Sequence, residues 1–482
     1  MQFHIAIIGG GITGLSAAWY LQQQAQQTGL TLPYTLLEQS QRWGGKVLTE
    51  QLDGVGKQPF VVEAGPDAFL TQKPWALQLA HELGLADRLL ATNDAARPIY
   101  VLHKGRPVAL PDGMQLVVPT RFMPFALSPL ISPMGKLRMA LDLVVPAKPD
   151  DEDEALADFV RRRFGQEAAD KIAEPLMAGI YSADIERQSL LATFPRLRDM
   201  ERQYGSLIRG MRAALAKQKR GAAQIAAFMS FQNGTQELVQ ALVAQLTGNL
   251  QLGVKVKQIT RHSDGGYTLI LDDNQVLHAQ AVLITTPAYV TAQLIQPLAP
   301  QASQYLTAIR YVSTGTISLA FRQSDIQRPL SGFGLIIPAS ERRPINAITV
   351  ASTKFDGRAP DDCVLLRVFF GGSRTPQTMQ LNDNELVRVV CQELKTIFGI
   401  QAQPLFHRIY RWYNANPQYD INHLDQVAQI EAMLPPGIYV AGSAYRGVGL
   451  PDCVHQAEQM VQRMIAQLIC VNSVGARRYA QT

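Results

Sequence analysis

FHIAIIGGGITGLSAAWYLQQQ, residues 3–24, reads as a buried strand, a glycine turn and a helix, and it decides the fold. Ile5, Ile7 and Ile8 suit a strand covered on both faces. Gly9, Gly11 and Gly14 form GxGxxG. The first permits a tight turn, the second lets backbone approach a pyrophosphate, and the third lets helix and strand pack closely. The start of the helix offers unpaired N–H groups and a favourable dipole to phosphates. GxGxxG alone is weak evidence. Here YTLLEQ, residues 34–39, adds a second strand ending in Glu38, placed to accept a hydrogen bond from a ribose 2′-OH. The complete order predicts a dinucleotide site.

The residues that follow select the dinucleotide. RWGGK, residues 42–46, places Gly44 and Gly45 between Arg42 and Lys46, a second small-residue lining that a simple NAD dehydrogenase does not need. FVVEAGPDAF, residues 60–69, then offers Gly65 and Pro66 for a further backbone contact. An extended cofactor gripped far from the first turn fits FAD better than NAD. AGSAYRGVGLPDC, residues 441–453, is a glycine-rich turn before a last helix, a second place where backbone can meet the cofactor.

Composition bounds the alternatives. A chain of 482 residues, 47% hydrophobic and 18% charged, is a globular protein of two or three domains. A net charge of +5 permits anionic small ligands or a lipid surface and does not demand nucleic acid. The four cysteines, Cys363, Cys391, Cys453 and Cys470, form no CxxC pair, and no HExxH occurs, so no metal site is expected. No apolar run reaches the roughly 18 to 20 residues of a membrane span. No signal peptide is readable, which gives a cytoplasmic expectation with surface attachment left open.

The chain resembles the FAD-dependent amine-oxidase-like superfamily and, within it, the coproporphyrinogen and protoporphyrinogen oxidases. The matching segments are GGGITGLSAA, EQSQRWGGK, EAGPDAFLTQK, EPLMAGIYSADIERQSLLATFP (174–195), RWYNANPQY (411–419) and GSAYRGVGLPDC, in family order over about residues 3–470. The first two are shared by many flavin oxidases; the later ones are narrower. The ending and the region PFALSPLIS…LDLVVPA look most like the bacterial enzymes of the coproporphyrin-dependent haem route.

That resemblance implies an α/β fold. A discontinuous Rossmann-like FAD-binding domain (1–95, 221–295 and 420–472) would carry a mixed or antiparallel-sheet substrate domain (96–111 and 296–419). A helical domain (112–220) would face a membrane or cap the pocket. It also implies non-covalent FAD, touched by Val256 near the adenine, by Trp412, and by Gly442, Gly447, Gly449 and Leu450 as the C-terminal segment returns along the flavin. Cys453 has no flavin-linking pattern before it and reads as a small buried hydrophobe.

The implied substrate is coproporphyrinogen III, with protoporphyrinogen IX as the alternative and molecular oxygen as acceptor. A downstream haem-pathway enzyme is an expected partner. Leu335 and Phe355 take the family's apolar substrate-wall positions, Gly179 allows close approach of a helix to the macrocycle, and Arg97 matches an arginine that meets a substrate carboxylate in the organellar members. Ala183 stands where family members commonly carry glycine. Lys73 is a further candidate near the flavin or the pocket mouth. No Ser–His–acid set or acid/base pair is evident, and no catalytic side chain is assigned. An amine oxidase or carotenoid desaturase would share the FAD grip; the first would want an aromatic cage, the second a stronger lipid-inserting region.

Two local readings carry into the structure. Residues 196–220 hold eight Arg or Lys and two acids, which reads as a solvated helical face or a face toward anionic lipid or substrate. FMPFALSPLISPMG and the residues to 145 allow either an apolar pocket lip or an interfacial anchor.

Overall fold

The structure is a computed structural model that describes residues 4–53, 58–93, 98–218, 226–263, 265–327 and 330–479. β1 (Ile5–Ile8), α1 (Ile12–Thr28) and β2 (Tyr34–Glu38) form as the opening stretch predicts. β1 is the middle strand of a five-stranded parallel sheet ordered Asn249–Leu252, β2, β1, Ala281–Ile284, Ile438–Val440. The two-residue period of the strand sends Ile5 and Ile7 into one core with α1 and the C-terminal helix Leu450–Tyr479. Ala6 and Ile8 enter a second core with Val256, Ile259 and Ile284. A near-continuous apolar run is what a sheet covered on both faces requires.

The second sheet is mixed and seven-stranded, ordered Phe406–Pro417, Tyr311–Arg322, Cys363–Gly371, Ala347–Val350, Gly334–Ile336, Ile99–His103, Arg106–Ala109. The last two strands are the hairpin IYVLHKGRPVA, whose turn puts Lys104 at φ 52° and Gly105 at φ 73°. Two consecutive left-handed residues match the right-handed twist of the flanking strands. One face of this sheet packs on the helix Asp383–Phe398. That helix lies within the region 296–419 expected as sheet, and a capping box of Asn382 and Glu385 opens it.

The other face meets a helical region between residues 122 and 218. Here the solvated reading of 196–220 needs correction in part. Arg198 is 1% exposed and Glu201 fully buried, because Glu201 accepts from Arg162, Arg163 and Arg198, and Glu154 from Arg162 and Arg198. Charges leave water only when paired in this way. Arg196, Arg209, Arg212 and Lys217 do face solvent.

Candidate cofactor site and adjoining pocket

The phosphate turn is built as its glycines require. A Cβ on Gly14 would lie 1.9 Å from the Gly9 carbonyl oxygen, so only glycine lets α1 pack on the turn. Gly9 adopts φ +109° and donates from its N–H to the Leu37 carbonyl at 2.8 Å. Gly11 is the contrasting case, since a Cβ there would meet no protein atom within 4 Å. Gly11 is also the N-cap of α1, with no capping side chain and no acid in the first turn. The helix start is left to an outside anion.

Glu38 accepts from the Gly10 N–H at 2.7 Å and the Ser40 N–H at 2.8 Å, one on each carboxylate oxygen. A carboxylate has about four acceptor positions, so capacity for a ribose hydroxyl remains. Val256 begins the strand Val256–Arg261 and is buried beside Leu37, while the Val254 N–H donates to the Glu38 carbonyl at 3.0 Å.

RWGGK closes over this turn. Gly44 donates to the Gly10 carbonyl at 2.8 Å and bridges Gly11. A Cβ on Gly45 would lie 3.2 Å from the Gly11 Cα. Arg42 turns back on its own loop, donating to the carbonyls of Trp43, Gly45 and Val47. It braces the lining.

Lys46 donates to the Ala415 carbonyl, and burial holds its ammonium below the ordinary pKa. A Cβ on Gly65 would fall 1.8 Å from the Lys46 carbonyl oxygen, and the Gly65 carbonyl accepts from Arg367. Its glycine requirement is therefore met by the protein's own packing. Pro66 accepts from the Thr235 hydroxyl at 2.9 Å, and the Trp412 indole donates to the Ala64 carbonyl at 2.9 Å. The strand Phe406–Pro417 thus fastens both glycine loops.

The C-terminal turn returns to the same place. The strand Ile438–Val440 pairs with Ala281–Ile284, and Gly442 follows at φ +130°. A Cβ there would sit 3.6 Å from the Thr285 carbonyl oxygen and 3.7 Å from Thr13 Oγ1 in α1. Gly447 and Gly449 face Asp452, whose two oxygens receive Lys73 Nζ at 2.7 and 2.8 Å. Leu450 opens the last helix within the α1 core. Burial raises the Cys453 thiol to about 11, so it stays neutral.

Tyr419 and His423 lock this turn, and the sequence reading gave neither a role. The Tyr419 hydroxyl donates to the Ser443 carbonyl at 2.7 Å and accepts from the Gly447 N–H at 2.8 Å. Tyr419→Phe breaks both bonds, and we expect FAD affinity to fall about ten-fold, measured by titrating apoprotein with FAD. The His423 ring stacks on Tyr419 at 4.0 Å and its Nε2 donates to the Tyr445 carbonyl at 2.9 Å. Burial lowers its pKa from 6.5 to about 4. The unfolded chain therefore binds the proton first as pH falls. Stability is full above about pH 6.5 and declines toward pH 4, by about 3 kcal/mol in all. Denaturant unfolding at pH 7 and 4.5 should show this loss, with His423→Gln flattening it.

The proposed pocket residues divide. Gly179 lies in the helix Glu174–Tyr181, and a Cβ there would be 3.9 Å from Ile336 Cγ2. Leu335 points the other way, 1% exposed in the core against the helix Asp383–Phe398. The strand's alternation puts Ile336, not Leu335, on the face that Gly179 shares. Phe355 is 1% exposed, with Lys354 Nζ and Arg358 Cζ each 5.3 Å from its ring centroid. Lys354 also pairs with Asp67 at 2.8 Å. Burial opposes ionisation of Asp67, but Lys354 and Arg367 outweigh it and pull the carboxyl down to about 2. Ala183 is buried just beyond the same helix. Arg97 lies outside the described residues.

A mixed α/β chain with this parallel sheet, turn and returning C-terminal helix has the fold of the FAD-binding amine oxidases. Cyclohexylamine oxidase from Brevibacterium oxydans IH-35A shares it at TM-score 0.69 and 19% identity, over 97% of this chain and all of that one. A solved structure from Exiguobacterium sp. 255-15 matches at TM-score 0.85 and 31% identity, covering 97% of this chain and 99% of that one. The family model for flavin containing amine oxidoreductase matches residues 12–465. Coproporphyrinogen III oxidase of Bacillus subtilis (strain 168) is 34% identical over 96% of this chain and 98% of its own. Chloroplastic protoporphyrinogen oxidase of Nicotiana tabacum is 28% identical over 96% and 85%. The chain belongs to the flavin-containing amine oxidoreductases and, among them, to the coproporphyrinogen and protoporphyrinogen oxidase family.

Proposed function

We propose that the chain oxidises coproporphyrinogen III to coproporphyrin III, removing six electrons and reducing three O2 to three H2O2, with FAD held non-covalently. The observation that carries this reading is the extent of likeness. The match to a coproporphyrinogen III oxidase runs through the seven-stranded sheet and helical region as well as the nucleotide turn. FAD, when bound, would supply the acceptor for hydride from a bridge carbon and the route of electrons to oxygen.

This chain's own residues hold and orient. Gly9, Gly11, Gly44 and Gly45 with the start of α1 receive the pyrophosphate; Glu38 takes the ribose. Lys46, Gly65, Pro66 and Trp412 close around the far end, and Gly442, Gly449 and Leu450 line it from the C-terminal turn. Gly179 and Ile336 form the apolar wall toward the macrocycle. Arg97 remains the proposed propionate cation, with Phe355 carrying Lys354 and Arg358 on its flanks. A guanidinium binds a carboxylate through two hydrogen bonds, so Arg97→Glu should damage binding more than Arg97→Lys.

Protoporphyrinogen IX is the second reading, favoured by the likeness to the chloroplastic enzyme. Separate aerated reactions with the two porphyrinogens, followed by porphyrin fluorescence and peroxide, decide between them. A higher kcat/KM for the coproporphyrin substrate supports the first reading, and the reverse order supports the second.

A further inference from the structure

Four arginines are buried among the described residues, and they divide two and two. Arg163 and Arg198, in the helical region, are ion-paired with Asp142, Glu154 and Glu201. Arg358 and Arg367 lie where the seven-stranded sheet meets the nucleotide half, and neither forms an ion pair with a described carboxylate. The acid nearest to hand, Asp67, is paired with Lys354 at 2.8 Å. A buried charge without a direct partner is costly, so each of these two needs a reason.

Arg358 is held by three hydrogen bonds, to the Ser230 hydroxyl at 2.8 Å and to the carbonyls of Phe231 and Gln232 at 2.9 Å. Arg367 has much less. It lies on the strand Cys363–Gly371, in register with Ser318 and Thr349 of the flanking strands. Leu366, Val368 and Phe370 enter the core against the helix Asp383–Phe398, so the strand's alternation turns Arg367 to the opposite face. There it donates to the Gly65 carbonyl, and its Cζ stands 4.8 Å from the Phe369 ring centroid. It is 5% exposed, and its Nε is enclosed without a hydrogen-bond partner among the described residues.

The charges around it do not balance. Glu63 accepts from the Thr49 hydroxyl, the Thr235 N–H and the Thr235 hydroxyl at 2.7, 2.7 and 3.0 Å. Glu63 and Asp67 both feel Arg358 and Arg367. Lys354, Arg358 and Arg367 face these two carboxylates, which leaves one positive charge in excess. Burial works against the Arg367 charge. A cation kept there at that cost points to a negative charge that comes from outside the chain.

We propose that Arg367 biases the bound cofactor toward its reduced form, resting on the reading above that the loop 64–66 closes around the far end of FAD. Hydride brings two electrons and one proton, so the reduced flavin carries one more negative charge than the oxidised one. A fixed cation acts on that difference more strongly in a protein interior than in water. Asp67 and Glu63 damp its field without cancelling it. A guanidinium tied by one carbonyl bond is retained for its charge rather than for the bonds it makes.

The midpoint potential of the FAD-loaded full chain, read by anaerobic equilibration with a reference dye and no porphyrinogen, tests this. Arg367→Met should favour reduced over oxidised FAD about ten-fold less than the parent, a fall of about 30 mV for a two-electron couple. Arg367→Lys keeps the charge and should stay near the parent. Urea unfolding of the Arg367→Met apoprotein should have a midpoint equal to or above the parent's, because a buried charge without a partner is gone. An unchanged potential in Arg367→Met overturns the proposal; if KM for the porphyrinogen rises instead, the cation serves a substrate carboxylate. Equal falls in the Met and Lys variants overturn it too, since charge would then not set the potential. Apoprotein that unfolds much earlier, with the potential unmoved, makes Arg367 a structural tie only. A chain whose potential shifts as expected but that oxidises neither porphyrinogen loses the substrate assignment and keeps this role for Arg367.

Discussion

Gly14→Ala should leave no soluble, folded protein, whereas Gly11→Ala should fold normally and lose FAD. A Cβ 1.9 Å from the Gly9 carbonyl oxygen cannot be relieved by a side-chain rotation, because both partners are backbone of the same turn. Relief means moving α1 off β1, which opens the core around Ile5, Ile7 and Leu15. At Gly11 the added methyl meets no protein atom within 4 Å. Its backbone, at φ −72° and ψ 179°, is open to any residue. Unfolding of the Gly11→Ala apoprotein should therefore shift by less than about 1 kcal/mol. Its FAD affinity should fall about 100-fold, because the methyl occupies the space through which backbone reaches the pyrophosphate. The pair of variants separates a glycine needed by the fold from one needed by the ligand.

Arg163→Met is the second large effect, and it acts far from the cofactor. Arg163 is 0% exposed and donates to Asp142 Oδ1 at 2.7 Å and to the carbonyls of Asp142, Val145 and Gly205 at 2.7, 2.9 and 2.9 Å. Removing the guanidinium strands a buried carboxylate and three carbonyls at once. Breaking such a pair from one side costs about 3–5 kcal/mol. Urea unfolding followed by circular dichroism should show the helical region melting first. The double variant Arg163→Met with Asp142→Asn should recover part of the loss, since no unpaired charge is then buried. Equal stability of parent and single variant would mean the network is incidental.

The nucleotide half was legible because its constraints are local. Gly9, Gly11, Gly14 and Glu38 act within one strand–turn–helix–strand unit, and the alternation of Ile5 to Ile8 names both covered faces. Other structural roles stay hidden in the sequence where the deciding partner is distant. Gly65 is a glycine because of the Lys46 carbonyl, and Arg42 turns back on carbonyls that a linear reading cannot orient. In GFGLIIP, Leu335, Ile336 and Ile337 are equally apolar, so pattern alone cannot say which faces the helix that carries Gly179; a one-residue step inverts the strand's faces. Tyr419 escaped because its hydroxyl acts on Ser443 and Gly447, which meet it only in the folded chain. Asn382 and Glu385 were a readable signal of the helix Asp383–Phe398.

The most direct test of the account is the reductive half-reaction alone. The FAD-loaded protein is mixed anaerobically with coproporphyrinogen III while the flavin absorbance near ~450 nm is followed in a stopped-flow instrument. The flavin should bleach, faster with coproporphyrinogen III than with protoporphyrinogen IX, and porphyrin fluorescence should follow only after oxygen is admitted, because one flavin takes two of the six electrons. Flavin that stays oxidised with both porphyrinogens, in protein fully loaded with FAD, would contradict it.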